Sequence, residues 1–533
     1  MLTRFWSSLN HLIRSYFLDY FFVLVVSLLL LSWLQSSYTL PEPDSFYHAK
    51  IAEFISQGKI IKQLPWLQQT PLKASFVDQH FLYHIFLAPF VKLANPLIAV
   101  KIATIIFASL LVLAVYWLLK KFQLKYPAIF IIILLSVKPW LFRVGLVKAP
   151  AVFLIFLLIG FYALTHRKKF LLSVVSFASV WLYAGWPLLL AAGVLYALVV
   201  IVSSVLRQAH FNFSFKLNKM IYEPEARKKI NFALSGLKYV FGGMILGLII
   251  NPYFPGNLLF YWEQFVKIAV VNYQNVIGVG GEWYPYGFFN LLADAPIIIS
   301  CLIVDVLLFG LSLKKQSTYS WTWGILSLTF FLLTLKSRRY VEIFVPLTIV
   351  FTAFCFSDFY RSGVFFKIWH SLNKLWHWAF GSVAVLIAII YLISLPGDWR
   401  QVLNYNLNGL PLNYYQKASW WLRDNTPAHS IVFNADWDDF PMLFYNDDHN
   451  FYLTGLDPTF MYLQDQNQYW LYVAISQGSK QTALAKTIKE HFNADYVFLD
   501  LAHKDFDRVL KADRDFRQVY KDDQAEIYQI LQY

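Results

Sequence analysis

Apolar runs about 20 residues long, separated by short polar stretches, recur along the first 395 positions of the chain. A run of that length, wound as a helix, crosses a hydrocarbon layer of ~30 Å. The pattern predicts about eleven spans, at roughly 17–39, 95–119, 126–139, 149–165, 170–185, 187–206, 233–251, 290–313, 319–335, 340–357 and 377–395. Those between 126 and 206 are short, which favours tilted or broken helices. After 395 the pattern changes. Residues 414–425 and 480–492 carry apolar positions at helical spacing, and 430–434 and 496–501 read as short buried strands. Helices alternating with strands predict a small α/β domain over 396–533 with a mostly parallel sheet. The expected fold class is a polytopic α-helical membrane protein, residues 1–395, with a C-terminal extracytoplasmic α/β domain.

Composition agrees with the pattern. The 533 residues are 58% hydrophobic and only 14% charged, more apolar side chain than a water-soluble surface can hide. Charge then divides the chain: residues 1–395 hold 33 Lys+Arg against 13 Asp+Glu, and residues 396–533 hold 12 against 19. The basic residues gather in alternate loops, among them Lys120, Lys121, Arg167, Lys168, Lys169, Lys216, Lys219, Lys314 and Lys315. Such a bias marks the cytoplasmic side. An odd number of spans then puts the N-terminus inside and the C-terminal domain outside, with long external loops at about 40–94 and 252–289. The first span, with no small-residue cleavage site after it, is expected to remain as an anchor. These features predict a multi-pass plasma (inner) membrane protein that works on its outer face. Nucleic acid is not an expected partner, because the membrane already accounts for the basic excess. Cys301 and Cys355 fall in apolar stretches and give no disulfide framework.

Acids are scarce before residue 396, so each one is informative. Asp44, in Pro41-Glu42-Pro43-Asp44-Ser45-Phe46-Tyr47-His48, stands where the first span meets external water. A helix starting there would use Asp44 as an N-cap, and would carry His48 over the same face four residues on. Ionisable groups at such depth are by default functional, which makes Asp44 and His48 candidates for catalysis. Asp78-Gln79-His80 reads as a solvated loop. Glu282, in Gly280-Gly281-Glu282-Trp283-Tyr284-Pro285, lies between glycines that admit a ligand and rings, Trp283 and Tyr284, that stack on sugars or anchor at an interface. Arg143, Lys148, Arg338 and Arg339 run against the positive-inside bias. Cations at the outer boundary suit a lipid phosphate, although snorkelling to bulk lipid is the plainer account of any one of them.

Several chemistries lack their signatures. There is no Walker loop, no dinucleotide glycine fingerprint, no Cys/His zinc spacing and no Gly-x-Ser-x-Gly elbow. What is present resembles the GT-C membrane glycosyltransferases and, within them, the catalytic subunit of oligosaccharyltransferase. Asp44 matches the acid of that family's first external loop. Gly281-Glu282-Trp283-Tyr284-Pro285 is similar to its Ser-x-x-Glu-x-x-Pro loop, with one residue fewer between Glu and Pro. Ser337-Arg338-Arg339-Tyr340-x-Glu342-x-Phe344-x-Pro346 is close to the stretch that contacts the lipid diphosphate. Asp436-Trp437-Asp438-Asp439-Phe440-Pro441 corresponds to the Trp-Trp-Asp-Tyr-Gly motif that reads the acceptor. The resemblance implies transfer of a sugar or oligosaccharide from a polyprenyl-phosphate or polyprenyl-diphosphate donor to a protein, glycan or lipid acceptor.

Two departures stand out. Where the family has a second acidic motif this chain has Arg143-Val144-Gly145-Leu146-Val147-Lys148-Ala149-Pro150, with no acid. The implied Mg²⁺ or Mn²⁺ site is thus reduced to Asp44 and Glu282, and Lys148 offers a fixed positive charge in its place, so metal independence is slightly preferred. The acceptor motif is also incomplete, so peptide recognition does not carry over, and Trp437, Asp438, Asp439, Trp283 and Tyr284 are expected to meet an acceptor of another kind. Two other readings stay open: a transporter or flippase for lipid-linked saccharides, and a non-catalytic polysaccharide-assembly subunit. Few acids lie within the spans beyond Asp305, which weighs against transport.

Overall fold

The computed structural model describes residues 2–209 and 224–531, so Lys216 and Lys219 lie outside the described residues. The chain forms two compact units. The first comprises Met1–Ser36, Thr104–Ile250 and Tyr284–Asn406, the second Ser37–Ala103, Asn251–Trp283 and Leu407–Tyr533. The units do not divide at residue 395. Helix Lys374–Leu407 runs across that position, and the stretches read as long loops join the second unit instead.

Among the described residues six helices are long and apolar enough to cross a membrane: Phe17–Leu34, Pro96–Lys121, Pro187–Val205, Pro224–Ile249, Arg338–Arg361 and Leu375–Leu407. The number rises to eight if two bent pairs each make one span: Pro127–Leu134 with Lys138–Val144, bent by 79°, and Phe288–Asp294 with Pro296–Leu311, bent by 107°. This is a multi-pass membrane protein, but the structure does not support eleven straight spans. The expected spans at 126–139 and 290–313 are broken. Pro139 and Pro296 stand in the first turn of the second helix of each pair, where a missing N–H costs no bond. Pro150–Thr165 and Lys169–Leu182 are apolar helices of 16 and 14 residues, roughly 24 and 21 Å long and so shorter than the hydrocarbon layer.

Within the first unit the helix Val341–Arg361 is buried along most of its length. The helices Pro224–Ile249 and Lys169–Leu182 approach closely because two glycines allow it. A Cβ on Gly243 would stand 2.4 Å from the Ser173 carbonyl oxygen, and one on Gly247 would stand 2.7 Å from that of Phe177. Spaced four residues apart, they form the small-residue seam that draws membrane helices together where no hydrophobic effect does so. The Trp181 indole donates to the Gly247 carbonyl (2.9 Å) and closes the contact.

The second unit is built on a five-stranded sheet. Its strands are β3 (Ile431–Asn434), β4 (Phe451–Tyr452), β5 (Tyr496–Asp500), β6 (Phe516–Lys521) and β7 (Ala525–Ile530), in the order β4-β3-β5-β7-β6. β3 is parallel to β4 and β5, whereas β7 is antiparallel to β5 and β6. The sheet is therefore mixed, not mostly parallel: the β6–β7 hairpin turns over Asp522, whose carboxylate accepts from the Gln524 and Ala525 N–H groups. A further two-stranded ladder pairs β1 (Thr39–Leu40) with β2 (Leu410–Pro411). Backbone bonds from 66–69 to Tyr452 and Leu453 extend the β4 edge. Stacked rings, Phe260 on Phe460 and Tyr273 against Tyr462, fasten residues 251–283 to the helix Pro458–Gln464.

Candidate functional site

Helix α1 (Leu2–Leu34) carries the first span, and in the second unit α2 (Asp44–Ser56) begins directly at Asp44. The N-cap is Pro43, so Asp44 occupies the first helical position and not the cap. One turn on, His48 is 3% exposed, and its Nδ1 lies 2.7 Å from Nε2 of His84. His84, on α3 (Phe81–Leu93), is fully buried, and its Nδ1 lies 2.7 Å from the Asp78 carboxylate. The other Asp78 oxygen accepts the His80 backbone N–H at 2.9 Å. The reading of Asp78-Gln79-His80 as a solvated loop is overturned, because Asp78 is only 3% exposed. A buried carboxylate needs charge-assisted partners, and here it has them. His84 carried no weight in the sequence. The signal was available in the spacing Asp78-x-His80-x-x-x-His84, which sets two histidines four apart at the start of a helix.

The same unit brings together two stretches that the sequence placed in separate regions. Glu282 is half-buried in the turn Gly281–Trp283. A Cβ built on Gly280 would lie 3.7 Å from the Trp437 ring and 3.8 Å from that of Trp283. The Trp283 carbonyl accepts from the Asn272 side chain (3.1 Å), and its ring is 8% exposed, which leaves it little surface for stacking on a sugar. Trp437, Asp438 and Asp439 form one short 3-10 turn. Asp436 accepts from the Asp438 N–H (3.1 Å) and Asp439 accepts from the Asp436 N–H (3.3 Å), a reciprocal capping box. Asp439 is 4% exposed. Burial, and then the Asp436 and Asp500 charges, push its carboxyl well above the usual range. Asp439 thus faces inward and holds the turn, while Trp437 and Asp438 are half-buried.

In the first unit, Arg143 stands in the last turn of the helix Lys138–Val144. Its Nε and Nη2 donate to one Glu342 oxygen at 3.1 and 2.9 Å, with both side chains more than nine-tenths buried. Arg143 therefore enters a neutral buried pair. Lys148, Arg143, Glu342 and Trp140 line one small pocket. The Trp140 indole is fully buried, and its Nε1 has no hydrogen-bond acceptor among the described residues. Gln35, at the end of the first span, donates to the Gly145 carbonyl (3.1 Å) and fixes this turn. Arg338 is exposed and Arg339 half-buried. The Arg338 N–H bonds the carbonyl of exposed Tyr284 (3.0 Å), its Nε bonds that of Pro285 (3.2 Å), and its guanidinium lies 5.8 Å from the Tyr286 ring centre. Tyr286 donates to Asp294 (2.7 Å), which also pairs with Lys138 (2.8 Å). This tether between 284–294 and 338 was not visible in the sequence. Among the described residues no three His, Cys, Asp or Glu side chains stand together as a metal-ligand set.

No family model matches the sequence, and no curated protein matches it. The fold, however, has solved counterparts among the GT-C glycosyltransferases. The archaeal oligosaccharyltransferase AglB from Archaeoglobus fulgidus, solved with an inhibitory peptide and a dolichol-phosphate, matches with a TM-score of 0.61 at 14% identity, over 91% of this chain and 70% of that one. ArnT from Cupriavidus metallidurans, bound to undecaprenyl phosphate, matches at 0.54 and 11% identity, over 96% of this chain and 98% of that one. The arabinofuranosyltransferase AftD from Mycobacteria matches at 0.51 and 12% identity, over 96% of this chain and 40% of that one. At such identities the likeness establishes the fold, which resembles that of polyprenyl-phosphate-dependent glycosyltransferases.

Proposed function

We propose that this chain is a membrane glycosyltransferase that moves a sugar or oligosaccharide from a polyprenyl-phosphate or polyprenyl-diphosphate donor to an acceptor hydroxyl or amide on the external face. The observation that carries the reading is the pocket at 140–148. It holds a buried indole N–H without an acceptor beside Lys148, in a fold whose solved counterparts AglB and ArnT bind polyprenyl phosphates. An anionic oxygen is the ligand that such a donor and cation recruit. Arg338 and Arg339 are assigned to the same donor phosphate, and the Arg143–Glu342 pair to holding the pocket.

Asp44 orients the acceptor and, with His48, draws its proton. The acceptor atom bonds to the anomeric carbon as the bond from that carbon to the phosphate oxygen breaks. The electrons leave with the lipid phosphate, where the cations meet the developing charge. Trp437, Asp438 and Tyr284 are assigned to the acceptor. We route no step through a metal, and propose that Lys148 supplies the positive charge in its stead.

Purified protein in lipid nanodiscs, given labelled polyprenyl-linked sugars and candidate acceptors, should transfer label and keep doing so after exhaustive EDTA treatment. Asp44→Ala should abolish transfer without loss of donor binding. Equal transfer by the variant would remove Asp44 from the chemistry, and no transfer by the wild type would return the chain to the assembly-subunit reading. Activity lost to EDTA and restored by Mn²⁺ would overturn metal independence.

A further inference from the structure

We infer that Asp78 and His84 are positioning residues that fix His48 as a base with its lone pair on Nε2. The inference rests on the transferase reading and adds residues to it. A carboxylate only accepts hydrogen bonds, so the 2.7 Å contact to His84 Nδ1 places a proton on that nitrogen. A neutral His84 then presents Nε2 as an acceptor. The 2.7 Å contact to His48 Nδ1 can form only if His48 donates there, which leaves the His48 lone pair on Nε2. One carboxylate thereby sets the tautomer of two rings in sequence. All three residues are at most 3% exposed, so water does not compete for these bonds.

Burial, and after it the Asp78 charge, raise the Tyr253 and Tyr261 phenols above their ordinary value. Tyr47, beside His48 on α2, is raised by burial and then by Asp78, Tyr253 and Asp44. These phenols stay protonated and offer no rival base. The rings around His48 are Tyr47 on its own helix and His80, Tyr83 and His84 on or beside α3, with Asp44 one turn back along α2 and Asp78 beyond His84. In the transfer step, the proton leaving the acceptor passes to Nε2 of His48. His48 gives its Nδ1 proton to His84 Nε2, and the resulting imidazolium lies against Asp78. The positive charge then rests on His84, and the proton returns along the same chain to the released lipid phosphate.

A single isosteric change reverses this order. The Asp78 oxygen that accepts the His80 N–H is held in place, so in Asp78→Asn the amide oxygen keeps that bond and the amide nitrogen faces His84. An N–H donor there makes His84 Nδ1 the acceptor and moves its proton to Nε2. His48 Nδ1 becomes the acceptor in turn, and its Nε2 carries the hydrogen. The base is lost with little change in shape.

Solid-state ¹⁵N spectra of the histidine-labelled full-length protein in nanodiscs test this, with His48→Gln and His84→Gln variants assigning two of the 12 rings. The wild-type protein should show both rings as the Nδ1–H tautomer, and Asp78→Asn should convert both to Nε2–H. In the transfer assay Asp78→Asn should lower kcat on the order of 10²–10⁴-fold, the usual contribution of a general base, with KM for the donor lipid unchanged. Wild-type rings in the Nε2–H form would overturn the inference, as would an Asp78→Asn variant with unchanged tautomers or unchanged kcat. If that variant fails to fold, the wild-type spectrum alone decides. Absence of any transfer by the wild type would count against the proposed function, while the spectra would still report on the tautomers.

Discussion

Asp44 and Asp439 are both carboxylates beside short turns, yet their surroundings give them different work. At the first position of α2, Asp44 benefits from the helix dipole by only about 0.3–1 kcal/mol. Asp44→Ala should therefore leave thermal unfolding almost unchanged while transfer is lost. A stability loss several times larger would mark it as structural. Asp439 is the reverse case. It is buried, its carboxyl is held well above the usual range, and it bonds the Asp436 N–H. Asp439→Asn should be tolerated, because an amide oxygen accepts the same bond without charge. Asp439→Ala should cost about 1–2 kcal/mol, the value of a lost cap, read as a lower urea midpoint with unchanged acceptor KM. The start of a helix at Asp44, with His48 one turn on, was legible in the sequence. It could not distinguish Asp438 from Asp439, because which of two adjacent acids turns inward depends on packing that only the folded turn supplies.

Elements show where pattern reading succeeds and where it stops. The helix Gln416–Asn425 and the strands β3 and β5 lie within two residues of their expected bounds, since each has an uninterrupted period. The β6–β7 hairpin was missed: its exposed polar positions blur the alternation, and the Asp522 turn has no glycine to announce it. Arg143 shows a related limit, as its partner Glu342 lies 199 positions away. Arg143→Ala or Glu342→Ala should destabilise the protein by roughly 3–5 kcal/mol, because each strands a buried charge. Lys148→Ala should instead weaken the donor lipid about ten- to hundredfold, the worth of a 1.5–3 kcal/mol charge-assisted contact, with little change in unfolding. Donor binding titrated by tryptophan fluorescence, alongside thermal scans, separates the two effects.

The Asp500–His503 pair makes a pH prediction for the sheet unit. Burial opposes charge on His503, but the Asp500 hydrogen bond and charge outweigh it and raise the ring above 6.5. Burial likewise opposes charge on Asp500, and His503 overcomes it and lowers the carboxyl below 3.8. The histidine contribution is thus complete below pH 6.5 and fades as pH rises through the folded value. That of Asp500 is complete above pH 3.8 and fades as pH falls through its own lowered value. Wild type should therefore exceed His503→Gln in unfolding temperature near pH 6, by roughly 2 °C if about 1 kcal/mol is involved. The two should converge above pH 8. A constant gap across that range would assign the effect of the variant to lost packing.

At the scale of the whole molecule, membrane character was legible because the hydrocarbon layer imposes a length on every span, and apolar runs record it. The breaks were less legible, since a proline in an apolar run looks alike whether the helix kinks or stops. Orientation depends on parity: six or eight crossings alone would bring both ends of the chain to one side, so an outward sheet unit requires an odd number of further crossings among the shorter apolar helices. Basic residues still cluster at one kind of helix end: Lys120 and Lys121 close Pro96–Lys121, while Arg227, Lys228 and Lys229 open Pro224–Ile249. Lysine and arginine resist translocation, so these ends should face the cytoplasm. We propose that the sheet unit faces outward, where the acceptor would be met. In a background lacking Cys301 and Cys355, a membrane-impermeant maleimide added to intact cells should label Asn467→Cys and leave Lys228→Cys unlabelled until the cells are opened. The reverse pattern would place Asp44, His48 and the sheet on the cytoplasmic side. Transfer would then occur where sugar donors are also nucleotide-linked, and the assignment of a lipid-linked donor would lose its main physical reason.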